Sequence, residues 1–520
     1  MARRVSRGRK SESVRLGIDF GTTHTVAALV DRGNYPTVAF EWGDALPSVL
    51  AVREADGAVR FGQDAKEVAG EPSWASVPSF KRLLRDAGPL TELRVGSTSF
   101  RLADLLAGYF SKLREDLLSA SNAGLASDEP IQAAVSVPAN ASNDQRFLTL
   151  DAFRRAGFEV LTLLNEPSAA GFEYGHRFRR TVTSRREYVL VYDLGGGTFD
   201  ASLIHMAGLV NEVITSDGIP RLGGDDFDEA ILGLVSSKAG LGQVEPAVRE
   251  ALLEVCRLQK EAASPNTRRF VFDLAAADRD VLVVPADEVY EACSPLIEKS
   301  VDVLEGVLRD PRREGRVDVD LKELAGLYVV GGASSFPPVA RRLREQFGQP
   351  RVRRSPHPYA ATAIGLACFL DEDAGYTLSD CLTRHFGVWR ESAHGREVSF
   401  DPIFRRDTRL PGPFDPALVE VRRYRPAHNL GHYRYVECWA LRDGRPDGSV
   451  TPWDGIWFPF DRSLRDRDDL AAVPVSRVDG RGPEIEERYR CTPSGTFEVT
   501  LTCLDDGYSR DYMIARRGGR

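Results

Sequence analysis

A two-lobed α/β domain built by duplication, followed by an all-β domain, is the fold the sequence predicts, and three observations predict it. Residues 16–30 (LGIDFGTTHTVAALV) and 190–204 (LVYDLGGGTFDASLI) repeat one pattern: an apolar run, an Asp, a Gly/Thr turn and a second apolar run. Up to residue 370, short β-branched runs alternate with stretches whose apolar residues return every three or four positions, the signature of an α/β fold. After residue 374 helical periodicity fades, Trp, Tyr, Pro and Gly rise, and stretches such as 497–502 (FEVTLT) alternate apolar with polar residues, as half-exposed antiparallel strands do.

Each element follows from local pattern. The first hairpin, 16–30, ends its leading strand in Asp19, and its turn carries Gly21, Thr22 and Thr23. Helical spacing predicts helices over 102–118, 143–156, 226–236, 287–308 and 337–347, and β-branched runs predict strands over 133–137, 188–192 and 327–330. The second hairpin, 190–204, places Asp193 where the first places Asp19 and follows it with Gly195, Gly196, Gly197 and Thr198. An acidic, then weakly apolar stretch from 371 reads as a linker over 371–384, which divides the chain into a basic, disordered tail (1–13), an α/β domain (14–370) and a β domain (385–520).

Composition bounds the function. The 520 residues are too many for one compact domain and suit two or three. A net charge of −8 argues against a nucleic-acid or membrane-surface binder, although the first ten residues (MARRVSRGRK) are basic. That tail lacks the apolar core of a signal peptide, and no run approaches the roughly 18 apolar residues needed to span a bilayer. Seven scattered Cys with no Cys-x-x-Cys pair favour unpaired thiols in a reducing, cytoplasmic setting over a disulfide framework or a zinc site.

The repeated turn is a phosphate-and-metal pattern. An apolar strand ending in Asp sets a carboxylate at the mouth of a buried sheet, and the Gly/Thr turn exposes N–H groups and hydroxyls with little side-chain bulk. Repeated about 170 residues apart, it suggests two lobes gripping one polyphosphate from opposite sides. Either Asp alone could simply cap its turn. Together, Asp19 and Asp193 at one polyphosphate call for a divalent cation between them, most simply Mg²⁺ held through waters. Thr22, Thr23, Gly195, Gly196, Gly197 and Thr198 would supply donors to the β- and γ-phosphates.

Five ordered blocks carry a resemblance: DFGTT (19–23), SFKRLL (79–84), VSVPA with NEPSAA (135–139, 165–170), DLGGGTFD with LGGDDFD (193–200, 222–228) and VVGGASSFPPV (329–339). In them the first 370 residues resemble the nucleotide-binding domain of the Hsp70 (DnaK-type) chaperones, within the actin/hexokinase ATPase superfamily. The resemblance implies a duplicated ribonuclease-H-like (actin-like) ATPase domain that binds ATP and ADP with Mg²⁺, with K⁺ a further candidate ion. It implies that Lys81 reaches the γ-phosphate, where the plain alternative is a solvated surface lysine, and that Glu166 helps orient the attacking water. It adds Asp200 to the metal shell of Asp19 and Asp193, lists Asp193 and Thr198 with the catalytic groups, and makes Pro138 and Arg146 a relay to the second domain. Gly224, Lys260, Ser264, Gly331, Gly332 and Ser335 fall where the family contacts the nucleotide. Three positions depart from the family at the base end: Arg257 stands for a Glu, Ser335 for the Arg that stacks on adenine, and Tyr359 for an Asp. Loss of that stacking contact would cost roughly 0.5–2 kcal/mol.

Segments 386–388, 404–411 and 485–502 follow, diffusely, the order of the family's substrate-binding β-sandwich. Such a sandwich suits an extended peptide, whereas Trp389, Trp439, Trp453 and Trp457 individually read as core filling. The family's Leu-rich linker is here Tyr376-Thr377-Leu378-Ser379-Asp380, which implies weaker or differently built docking. No helical lid is expected after the sandwich, which implies fast ligand exchange. The implied function is that of an ATP-hydrolysing chaperone acting on unfolded or extended polypeptide, served by a J-domain protein and a nucleotide exchange factor. A nucleotide-gated adaptor for one protein client, and a small-molecule kinase or filament-forming ATPase of the same superfamily, stand as alternatives.

Overall fold

A computed structural model describes residues 13–513 except 89, 127–128, 140, 310–318, 380, 383, 393–396, 407, 413–414, 454 and 479. The basic tail over 1–12, Asp380 of the expected linker and Asp407 of the 404–411 segment lie outside the described residues.

Two sheets organise the first 370 residues. In the first, Val14–Phe20 pairs in parallel with Ile131–Val137, which pairs with Glu159–Asn165, and on its other side runs antiparallel to His24–Leu29 and then Leu46–Pro47. In the second, Tyr188–Leu194 pairs in parallel with Leu324–Val330 and beyond it Val352–Arg354. On its other side it runs antiparallel to Phe199–Ala207, then Val210–Ile219. In both, the strand ending in Asp19 or Asp193 sits between a parallel partner and its own hairpin partner. The buried apolar runs of these strands fit sheets covered on both faces.

The helix Glu166–Phe178 joins the two halves: Ala169 and Phe172 pack with the first sheet's cluster, Ala170 and Tyr174 with the second's. Ala361–Leu370 is apolar nearly all round and buried beside it, as a helix without a solvent face must be. The expected helices occur as Leu102–Ser119, Asn143–Arg155, Gly224–Ala239, Ala286–Arg309 and Pro337–Phe347.

Residues after 384 form two antiparallel sheets, one from His385–Ser392, Glu397–Phe404, Leu430–Arg442, Arg445–Pro452 and Ile456–Pro459, the other from Leu418–Tyr424, Ile485–Cys491, Phe497–Cys503 and Ser509–Met513. Phe386, Tyr435, Tyr489, Phe497 and Leu501 fill the core. Arg390 is bidentate to the buried Glu487. Of the four tryptophans expected as core filling only Trp453 joins that core. Trp389 packs at an edge cluster, Trp457 stacks on His432, and Trp439 stacks with Arg406. Period-2 patterning cannot separate an inward aromatic from one turned toward another domain, hence the difference.

The expected linker is partly strand. Thr377–Ser379 pairs in parallel with Val210–Glu212 at the edge of the second sheet, so backbone hydrogen bonds dock it where apolar side chains are few. All seven cysteines are free. No helix among the described residues is long and apolar enough to cross a membrane.

Candidate active site

The two hairpin turns face each other across a cleft. A Cβ on Gly196 would fall 2.4 Å from the Thr23 Cγ2 atom, so only glycine lets the turns meet. Between them opens a cavity of about 520 Å³. Its wall includes Gly21, Thr22, Thr23, Gly195, Gly196 and Thr198 from the turns, and Gly331 and Gly332 from the end of Leu324–Val330. Gly331 has φ +83°, and a side chain there would strike the Leu194 carbonyl and the Asp193 carboxylate, so this bend also requires glycine.

Lys81 comes from a 3₁₀ helix, Phe80–Asp86, whose preceding residue Ser79 adopts a left-handed φ of 51°. That unfavourable backbone turns the chain inward, and the Ser79 hydroxyl donates to Asp225 at 3.1 Å. Lys81 is 6% exposed and donates to Glu166 Oε1 at 2.7 Å. Burial alone would lower its pKa, but the Glu166 and Asp19 carboxylates more than offset this and raise it, so the ammonium stays charged.

Four carboxylates surround that single ammonium. Burial and Glu166 push Asp19 up to about 6, against Lys81 and the Ser136 hydroxyl, which donates to Asp19 at 2.5 Å. Burial and the Glu166, Asp19 and Asp200 charges raise Asp193 well above the usual carboxylate range. Asp200, paired with Asp193 across the hairpin, is pushed up to about 8 by burial and Glu166. Carboxyls crowded in this way ionise more readily when a cation is near. Among the described residues no three His, Cys, Asp or Glu side chains converge tightly enough to ligate one metal ion directly. The donor set therefore fits Mg²⁺, which keeps most of its waters and takes one or two carboxylates plus substrate oxygens.

At the opposite end, Lys260 is buried and committed to the Gly224 carbonyl at 2.7 Å and Asp228 at 2.8 Å. Arg257, Glu261, Ser335 and Tyr359 also line the wall. Arg257 is held by Glu254, Ser335 accepts from Arg354, and Tyr359 donates to Asp44 at 3.3 Å.

Of the residues expected at the site, Ser264 stands off this wall with its hydroxyl on Thr267. Gly197 offers its carbonyl to Arg82, and Asp200 faces a neighbouring cavity. Sequence reasoning missed Ser136, Arg82 and Asp228. The first lies within the VSVPA block and the third within LGGDDFD, but only coordinates reveal that Ser136 holds Asp19. Arg82 bridges the cleft, donating to Asp226 at 3.1 Å and to the Gly197 carbonyl at 3.4 Å.

Contacts to the β domain start beside this site. Arg146 donates both to Asn165, next to Glu166, and to the Ser494 carbonyl at 3.3 Å. Asn143 accepts from the Phe497 N–H at 3.1 Å.

A family model described as "Hsp70 protein" matches residues 85–371. Curated relatives include three proteins named "Chaperone protein HscA homolog". That of Laribacter hongkongensis (strain HLHK9) is 34% identical over 369 residues, 68% of this chain and 57% of the relative. That of Burkholderia ambifaria (strain MC40-6) is 32% identical over 384 residues, 69% and 58%. That of Pseudomonas putida (strain KT2440) is 32% identical over 386 residues, 69% and 58%. The chain thus spans a little over half the length of the curated relatives it matches.

Proposed function

The chain belongs to the Hsp70 family, and from that premise we propose that it binds MgATP in the interlobe cleft, hydrolyses it slowly, and couples nucleotide state to polypeptide binding by the β domain. The observation that carries this is the buried Lys81–Glu166 pair set between two Gly/Thr turns, each preceded by an Asp near the end of its strand, Asp193 buried and Asp19 partly so. We read residues 14–370 as a duplicated, actin-like ATPase domain, 371–384 as linker and 385–520 as the polypeptide-binding domain. The like placement of Asp19 and Asp193 in two similarly ordered sheets supports duplication.

In the proposed chemistry the Gly/Thr turns donate N–H and hydroxyl groups to the β- and γ-phosphates. Asp19, Asp193 and Asp200 would hold Mg²⁺ through waters, which neutralises phosphate charge when bound. Glu166 positions a water in line with the γ-phosphorus. The water oxygen bonds to phosphorus as the bond to the β,γ-bridging oxygen breaks, giving ADP, orthophosphate and a proton. Lys81 and Thr198 oppose charge building on the equatorial oxygens. Gly224, Lys260, Gly331, Gly332 and Ser335 border the nucleoside end. Arg146, touching both Asn165 and Ser494, links the Glu166 region to the β domain, and Pro138 belongs to the same relay by family resemblance. K⁺, a J-domain protein and an exchange factor belong to this proposal by family.

Lys81→Ala is the test. Expected is a loss of single-turnover hydrolysis of about 10²-fold or more with ATP affinity kept within about threefold. Equal hydrolysis by mutant and wild type would remove Lys81 from the chemistry.

A second reading, an adaptor gated by nucleotide for one protein client, draws support from the family match ending at residue 371, before the β domain. Suppressed aggregation of several unrelated unfolded proteins favours the chaperone, and one tight partner without such activity favours the adaptor.

A further inference from the structure

Behind the catalytic end of the cleft lies a second cavity, of about 470 Å³. Thr22, Lys81 and Thr198 line both cavities, so these three side chains form the partition where the γ-phosphate would be cleaved. On the far side the walls come from Arg82 and Arg85 of the first lobe, Asp200 and Asp217 of the second, Arg384 at the end of the linker, and Trp439, Val450 and Thr451 of the β domain.

The chemistry of that cavity is anionic recognition. Three guanidinium groups and the Lys81 ammonium outnumber the two carboxyls, Asp200 and Asp217, on its walls. Guanidinium forks match tetrahedral oxyanions in geometry and charge. Arg82 and Arg85 bring two of these guanidinium groups from one 3₁₀ helix, Phe80–Asp86. Arg384 donates to Thr451 at 3.1 Å, which anchors one guanidinium on the β-domain wall.

We propose that this cavity binds orthophosphate, the product of the hydrolysis proposed above, and that phosphate leaves past the β domain while ADP still fills the nucleotide mouth. The proposal rests on the ATPase reading for the origin of the phosphate, but the site's affinity for the ion does not. Because the β domain forms the outer wall and is held by the Asn143–Phe497 and Arg146–Ser494 contacts, phosphate departure and β-domain undocking become one event.

The test uses the full chain saturated with MgADP, probed with radiolabelled inorganic phosphate by equilibrium dialysis. Wild type is expected to hold one phosphate per chain. Arg85→Ala should weaken it about tenfold, and Val450→Trp, which fills the cavity from a residue 45% exposed, should abolish it. No phosphate bound by wild type overturns the proposal, and so does equal binding by all three proteins, which would place the phosphate outside this cavity. Matched melting curves with MgADP establish that the variants fold. Single-turnover ATP reactions then separate chemistry from release: both variants should hydrolyse at the wild-type rate, with phosphate release delayed in Val450→Trp. Release that keeps pace with hydrolysis in Val450→Trp also overturns it. A chain that hydrolyses nothing refutes the ATPase reading, while the dialysis still decides the phosphate site.

Discussion

Asp19, Asp193 and Asp200 crowd around the Lys81–Glu166 pair in a setting that favours their neutral forms, and this gives the nucleotide-free protein an unusual pH dependence. An unfolded carboxyl titrates near 3.9, whereas burial and neighbouring charge lift Asp19 to about 6 and Asp200 to about 8. Such a group binds its proton more tightly in the folded state, so its contribution to stability is full below the unfolded value and is lost as pH rises through the folded one. The contribution of these groups to the melting temperature without nucleotide should therefore fall between about pH 4 and 8, and Asp200→Asn should flatten the upper part of that fall. Mg²⁺ with ADP should restore most stability at the alkaline end, where the carboxylates are charged and the cation has most to neutralise. Melting curves with and without chelator measure this, and a midpoint that rises with pH in the nucleotide-free wild type would contradict it. At this scale the sequence was legible where a residue type has one use. Asp at the end of an apolar strand and Gly in a turn declare themselves, but Ser136 does not, because its hydrogen bond to Asp19 joins residues 117 apart.

The repeated hairpins were legible as elements because their pattern is local: apolar strand, Asp and turn follow within a few residues. The five predicted helices were too, since their apolar residues return with the helical period, whereas Ala361–Leu370, buried nearly all round, has no such period to read. What local pattern could not give is how one element uses another's backbone. The linker strand Thr377–Ser379 docks by backbone hydrogen bonds to Val210–Glu212, which no side chain advertises, and Trp439 turns to the interdomain cavity instead of the sandwich core. The helix Asn143–Arg155 shows the same limit. Its amphipathic pattern is that of a packed helix, yet its first turn also grips the β domain, where Asn143 accepts from Phe497, a residue 2% exposed. Asn143→Ala removes that acceptor and should speed amide exchange at Phe497 by about tenfold or more, while exchange inside the Phe386 strand stays slow. Unchanged exchange at Phe497 would mean that the two domains are not held together there in solution.

Across the whole molecule, two cavities and three walls tell one story. The first cavity has the glycines, hydroxyls and carboxylates that a magnesium polyphosphate requires, and the second has the guanidinium groups that a free phosphate requires. The β domain closes only the second, so the two halves of the chain meet where the reaction product would gather. Arg257, Ser335 and Tyr359, the three positions that depart from the family pattern, line one part of the first cavity, and Thr22, Thr23, Gly195, Gly196 and Thr198 line another. The central claim is therefore about phosphate and metal, and calorimetric titration of the full chain with ATP, in Mg²⁺ and again in chelator, tests it most directly. The expected result is one saturable site per chain whose affinity falls more than about tenfold when Mg²⁺ is removed. No binding heat, or binding indifferent to Mg²⁺, would contradict it.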